Sequence, residues 1–163
     1  MADLPERLDL GDGDCGGTAS ATFQLANTGA AQLTFDFGAS DPRLAVSPRT
    51  GALAPGAALS VQVTAEVPAE VGAGEQLVSA LVVTTNAGAP RAIPISLRTR
   101  GAQITIDPPV IGFGQVAVGF PSTRAFTVRN VGNAAATVTI AAPGGEFRSQ
   151  FGGAGAVVLA PGG

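Results

Sequence analysis

The chain has 163 residues, a net charge of −3 and 13% charged residues, about half the usual share of a soluble domain. It has no histidine, lysine, tryptophan or tyrosine and a single cysteine, which excludes an imidazole base, a lysine nucleophile and an internal disulfide. The nine arginines form no basic stripe, which argues against a nucleic-acid partner, and no apolar run approaches the roughly 20 residues of a membrane-spanning helix.

Gly and Pro make up about one residue in five, and apolar alternation runs between them. Short alternating segments between frequent breakers predict an all-β sandwich rather than disorder. Residues 1–6 (MADLPE) have neither the basic start nor the apolar middle of a signal peptide. Charge is uneven. Residues 1–101 carry six arginines against ten acids; residues 102–163 carry three against two.

In chain order, residues 4–10 (LPERLDL) read as a first strand and Gly11–Gly17 as a turn. Residues 21–25 (ATFQL) alternate, the pattern of a half-buried strand. Asn27-Thr28-Gly29 is a turn, since Asn and Gly tolerate positive φ. Leu33, Phe35 and Phe37 form a third strand, and Leu44 and Val46 a fourth. Residues 48–57 (PRTGALAPGA) read as a loop. Leu59, Val61, Val63, Ala65 and Val67 face one way in the clearest strand of the chain. Residues 76–85 (QLVSALVVTT) are more apolar and predict a central strand. Ile93, Ile95 and Leu97 alternate in a last strand, where Pro94 hints at an edge. Seven strands in about 100 residues is the immunoglobulin-like count.

The pattern then restarts. Phe113–Ile140 repeats Leu10–Phe35. Aligning Phe23 with Phe126 gives an offset of 103, which also pairs Gly11 with Gly114, Gly16 with Gly119, Asn27 with Asn130 and Gly29 with Gly132. Residues 53–56 (LAPG) recur at 159–162, an offset of 106. The repeat predicts tandem immunoglobulin-like seven-stranded β-sandwiches. The first spans 1–101 and lacks the very first strand, having no equivalent of residues 103–106. The second, 102–163, holds only the N-terminal half, with nothing matching Leu59–Arg100. Either the chain is a fragment of a longer array, or another chain supplies the missing strands.

Phe-Gly-x-Val-x-Val-Gly at 113–119, followed by 126–132 (FTVRNVG), resembles the ASH/Hydin-type immunoglobulin-like domains and the bacterial choice-of-anchor D repeats. These are similar to the major-sperm-protein and pilus-chaperone sandwiches. In the first copy, 46–48 (VSP), 51–56 (GALAPG), 61–63 (VQV) and Pro68 match as well. The resemblance covers nearly the whole chain through turn and core residues, which specify fold and not function. It implies a non-catalytic module of large bacterial surface proteins, or an interaction module of cilia and centrosomes.

Asp9, Asp12 and Asp14 are the one acidic cluster and the only calcium candidates. Their spacing completes no calcium loop, and the second copy has Gly112, Gln115 and Ala117 there, so the expectation is a solvated turn with no metal and no cofactor. Cys15 aligns with Val118, which predicts a small buried apolar position, with an intermolecular disulfide as the alternative. Phe23, Phe35, Phe37, Phe113 and Phe126 fall at inward positions and are expected in the core rather than on a glycan platform. Arg98, Arg100, Arg124 and Arg129 lie on outward positions or near the junction; Arg100 and Asp107 are the candidate interdomain pair. The expected role is a structural or adhesive spacer in an extracellular or cell-surface bacterial protein. Its partners would be neighbouring domains, other copies of the chain or an unidentified protein. Alternatives are an intracellular or cytoskeletal recruitment module and a filament subunit joined by strand exchange.

Overall fold

The computed structural model describes residues 2–141, 144–150 and 155–163. Backbone packing divides the chain into Met1–Arg100 and Gly101–Gly163. The first unit holds nine strands: β1 (Ala2–Asp3), β2 (Leu8–Asp14), β3 (Thr18–Asn27), β4 (Leu33–Ala39), β5 (Leu44–Ser47), β6 (Thr50–Leu53), β7 (Ala58–Glu66), β8 (Gln76–Thr85) and β9 (Gly88–Arg100). They form a four-stranded sheet, β1-β3-β7-β5, and a five-stranded sheet, β2-β9-β8-β4-β6. The fold is all-β, as the alternation predicts.

Period-two alternation builds the core. Phe23 and Leu25 of β3 and Val61, Val63 and Ala65 of β7 are buried from one sheet. Phe35 and Phe37 of β4, Leu81 and Val83 of β8, and Ile93, Ile95 and Leu97 of β9 are buried from the other. Phe23 meets Phe37 edge-on across the core, with ring centroids 5.9 Å apart at 83°. Each such side chain contributes about 1.5–3 kcal/mol. An exposed ion pair contributes less than about 1 kcal/mol, so the core dominates.

The strands of the first unit differ from the sequence expectation in three places. β1 supplies the first strand expected to be missing: Ala2 pairs with Asn27 and Asp3 with Ala26. It is too short to show alternation. The expected strand at 4–10 begins instead at Leu8 and runs through the expected turn to Asp14, parallel to β9. A bulge between Asp9 and Asp12, with Gly11 at φ 72°, accommodates the irregular sequence. The expected loop 48–57 contains β6, paired with the edge of β4. Alternation is hidden there because Phe35 covers Gly51, whose Cβ would lie 2.7 Å from the ring.

The edge expected at Pro94 holds locally: β9 lies between β2 and β8 in the sheet order, but at Pro94 its β2 side is a free edge. The Ala80 N–H and C=O both engage Ser40, so the Ala80–Pro94 pair exchanges no ladder bond, and β2 reaches β9 only from Ile95 onward. The missing N–H therefore costs nothing. β8 is the middle strand of its sheet, as expected, and is buried on one face, with Val78 and Val82 exposed on the other.

The second unit contains β10 (Ile104–Asp107), β11 (Thr127–Asn130), β12 (Ala136–Val138) and β13 (Val157–Leu159). β10 pairs with β11 and β12 with β13, both antiparallel. The registers repeat those of the first unit. Ile104 opposite Asn130 matches Ala2 opposite Asn27, and Ala136 opposite Leu159 matches Leu33 opposite Leu53. Among the described residues of this unit, only Val128 and Asn130 are buried. Phe113 and Phe126, expected in the core, are half-buried, and Phe113 packs on Phe147 at 5.6 Å.

Candidate functional site

Two buried asparagines organise the units. Asn27, 1% exposed, ends β3. Its Nδ2 donates to Ala31 O at 2.8 Å and to Leu53 O at 3.1 Å, and its Oδ1 accepts the Gly29 N–H at 3.0 Å. Its backbone N–H donates to Ala57 O and its carbonyl accepts from Gly56 N–H. One residue thus ties the β3–β4 turn to the segment that leads into β7. A buried amide is tolerated because its polar atoms are satisfied.

Asn130 repeats this bond for bond. Its Nδ2 donates to Ala134 O at 2.7 Å and Leu159 O at 3.1 Å, and Oδ1 accepts from Gly132 at 3.1 Å. Its N–H donates to Gly163 O, and Gly162 N–H donates to its carbonyl. Oδ1 also accepts from Gln103 N–H at 3.2 Å.

These positions do lie where β3 and β11 end and the chain turns, but the positive φ expected of them needs correcting. Among the described residues none other than glycine has positive φ, so neither asparagine uses it. Gly29 and Gly132 are not at positive φ either. Gly132 is small because a Cβ would lie 2.5 Å from Gln103 N and collide with Gly101 O. Gly11, Gly16, Gly114 and Gly119 do have positive φ, between 64° and 83°.

The acidic cluster lies along β2. Asp9, Asp12 and Asp14 sit opposite Ser96, Arg98 and Arg100 of β9. Asp9 Oδ1 accepts the Gly11 N–H at 3.0 Å. Asp14 accepts from Arg100 Nε at 2.7 Å. That hydrogen bond, and the charge behind it, hold the Asp14 carboxyl below its ordinary range and raise Arg100. Arg100 is therefore engaged with Asp14 within its own unit. Asp41 is lowered in the same way by Arg43, 2.7 Å away. Among the described residues no three acidic, histidine or cysteine side chains converge as metal ligands.

Cys15 is half-buried, with Sγ 3.6 Å from Val71 O, and its repeat partner Val118 is fully exposed. The expected buried position is therefore not shared by the copies. A cleft of about 70 Å³ opens between the sheets, lined by Asp41, Arg43, Leu44, Leu77, Ile95 and Leu97. It has room for a few waters or one aliphatic side chain. Sequence reasoning missed Thr99, buried near the end of β9, whose Oγ1 donates to Gly72 O at 2.5 Å. It pins the 72–75 loop to β9. An isolated Thr in a strand carries no signal of that role.

The family model for the HYDIN/CFA65/VesB-like immunoglobulin-like domain matches residues 2–100. The chain belongs to this family. The HYDIN/CFA65/VesB-like sandwich is similar to solved structures at low identity. The ASH/PapD-like domain 7 of human CEP192 is 13% identical, with a TM-score of 0.51, over 61% of this chain and 84% of that one. SSP-19, an MSP-domain-like protein of Caenorhabditis elegans, is 20% identical, with a TM-score of 0.42, over 58% and 94%. A chaperone and tip-adhesin subunit pre-assembly complex of Acinetobacter baumannii matches at 14% identity, with a TM-score of 0.49, over 99% and 87%. Among curated proteins none matches significantly. No helix among the described residues is long and apolar enough to cross a membrane.

Proposed function

We propose that this HYDIN/CFA65/VesB-like chain is a non-catalytic structural module, a spacer or scaffold within a larger bacterial surface or secreted protein. In this reading the two units are successive copies of one sandwich, 101–163 being the N-terminal half of the second. The observation that carries it is the asparagine staple. The same bonds recur at offsets of 103 and 106, although the surrounding side chains differ. What is kept between copies serves the fold, and no catalytic constellation is kept. The lack of His and Lys supports the same view. Partners would be neighbouring domains or copies of the chain. An antibody raised against the chain tests the surface role. It should label intact bacterial cells, and labelling confined to lysed cells would overturn it.

A second reading, a recruitment module for a protein partner, draws support from the exposed Val78 and Val82 on the outer face of the five-stranded sheet. Val78→Asp with Val82→Asp should abolish capture of such a partner and leave the fold intact.

A further inference from the structure

We propose that the first unit carries a peptide-docking notch beside the start of β8, and that its occupant is an extended segment of another protein in which an aliphatic residue is followed two positions on by lysine or arginine. The notch goes beyond the spacer reading. It uses the edge of β8, where the recruitment reading uses its outer face.

The notch exists because β4 is shorter than β8. Their ladder stops at Ala39 opposite Leu81. Ser40 closes it: its N–H donates to Ala80 O at 3.1 Å, and its Oγ accepts the Ala80 N–H at 3.1 Å. The chain then turns, with the Leu44 N–H bonded to Asp41 O, and crosses to β5 in the other sheet. Over Gln76–Ser79, β8 has β9 on one side, and among the described residues no strand pairs with its other side. Backbone groups alternate in direction along a strand. The Ala80 N–H and C=O face Ser40, so those of Val78, two residues away, face the open edge. Such an edge accepts an added strand.

The cleft between the sheets opens at the same place. It is lined by half-buried Leu44 and Leu77 and by buried Ile95 and Leu97, and its volume of about 70 Å³ takes one aliphatic side chain. A segment continuing the line of β4 runs antiparallel to β8. Residues directly opposite in such a pair share a face, so its residue opposite Leu77 points inward, into the cleft.

Charge sets the rest of the occupant. Residues 66–77 carry Glu66, Glu70 and Glu75 and no basic residue. Arg43 at the cleft mouth is taken up by Asp41, to whose oxygens its Nε and Nη2 donate at 3.0 and 2.7 Å. Asp41 holds Arg43 above its ordinary value and the Glu70 charge adds to this, which puts Glu70 near the same mouth. Among the described residues none of the three glutamates forms an ion pair. Two positions beyond the inserted residue, the segment reaches the level of Glu75 with the same facing. A cation there meets free carboxylates, and an anion is repelled.

The test uses the whole chain and the end-blocked peptide Ser-Thr-Leu-Thr-Lys-Ser. At saturation it should slow hydrogen exchange of the Val78 amide about tenfold or more. Replacing its leucine by serine, or its lysine by glutamate, should each weaken binding about tenfold or more. Glu70→Gln with Glu75→Gln, both exposed, should keep the fold and abolish the preference for lysine over glutamate. Val82→Asp, on the outer face, should leave peptide affinity unchanged and so separates the notch from docking on that face. An unprotected Val78 amide, equal binding of the serine peptide, or loss of binding in Val82→Asp would overturn the proposal. Self-association of the chain that protects Val78 without peptide would also overturn it, giving the notch to a second copy.

Discussion

Replacing Asn27 by Ala removes three side-chain hydrogen bonds, at 2.8, 3.1 and 3.0 Å, from a nearly inaccessible position. Each is worth about 1 kcal/mol net. The loss also strands the Leu53 carbonyl, where the bond is buried, at a cost of about 1 kcal/mol more. The expected destabilisation of the first unit is therefore about 4 kcal/mol. For a unit of this size, that lowers Tm by about 15 °C or more. The chain has no Trp or Tyr, so the assay is urea unfolding followed by far-ultraviolet circular dichroism. Asn27→Asp keeps the acceptor for Gly29 but loses both donors, and it also buries a charge, so it should rescue nothing. A loss below about 1 kcal/mol for Asn27→Ala would refute the staple as a main determinant of register, since even one net bond accounts for that much.

Gly132→Ala should unfold or loosen the second unit while leaving the first intact, because the added methyl meets Gln103 N at 2.5 Å and Ala102 Cα at 2.8 Å. Amide exchange at β10 and β11 reads the effect. Asp14 has a folded-state pKa below its ordinary value, so its contribution is present above the ordinary carboxylate range and lost as pH falls through the lowered value. Asp14→Asn should flatten that part of the acid limb of a urea-midpoint profile and hardly change stability at neutral pH, since the pair is exposed. Millimolar calcium should leave Tm unchanged, because Asp9 caps Gly11 and Asp14 faces Arg100; a clear rise would restore the metal reading.

The fold class was legible because alternation is a local consequence of strand geometry. Val61, Val63, Leu81 and Ile93 sit where the pattern puts them, and they drive burial. The elements that escaped notice lack that local signature. β1 is two residues long, β6 carries Gly51 under the Phe35 ring, and the end of β2 is written in glycine and aspartate. Asn27 and Asn130 were visible as a repeat, but not their use. Turn chemistry explains an asparagine locally, whereas their Nδ2 groups reach carbonyls 26 and 29 residues away.

The sequence by itself determined the repeat, the two offsets and the inward face of each long strand, since these follow from spacing alone. Tertiary structure decided the partners. The parallel pairing of β2 with β9 brought Asp14 to Arg100, across 86 residues. It also turned two apparent turn residues into buried staples. Spacing records which way a side chain points along its own strand. What it meets there depends on which distant strand the backbone chooses to pair with, and that choice is made by the sheet as a whole.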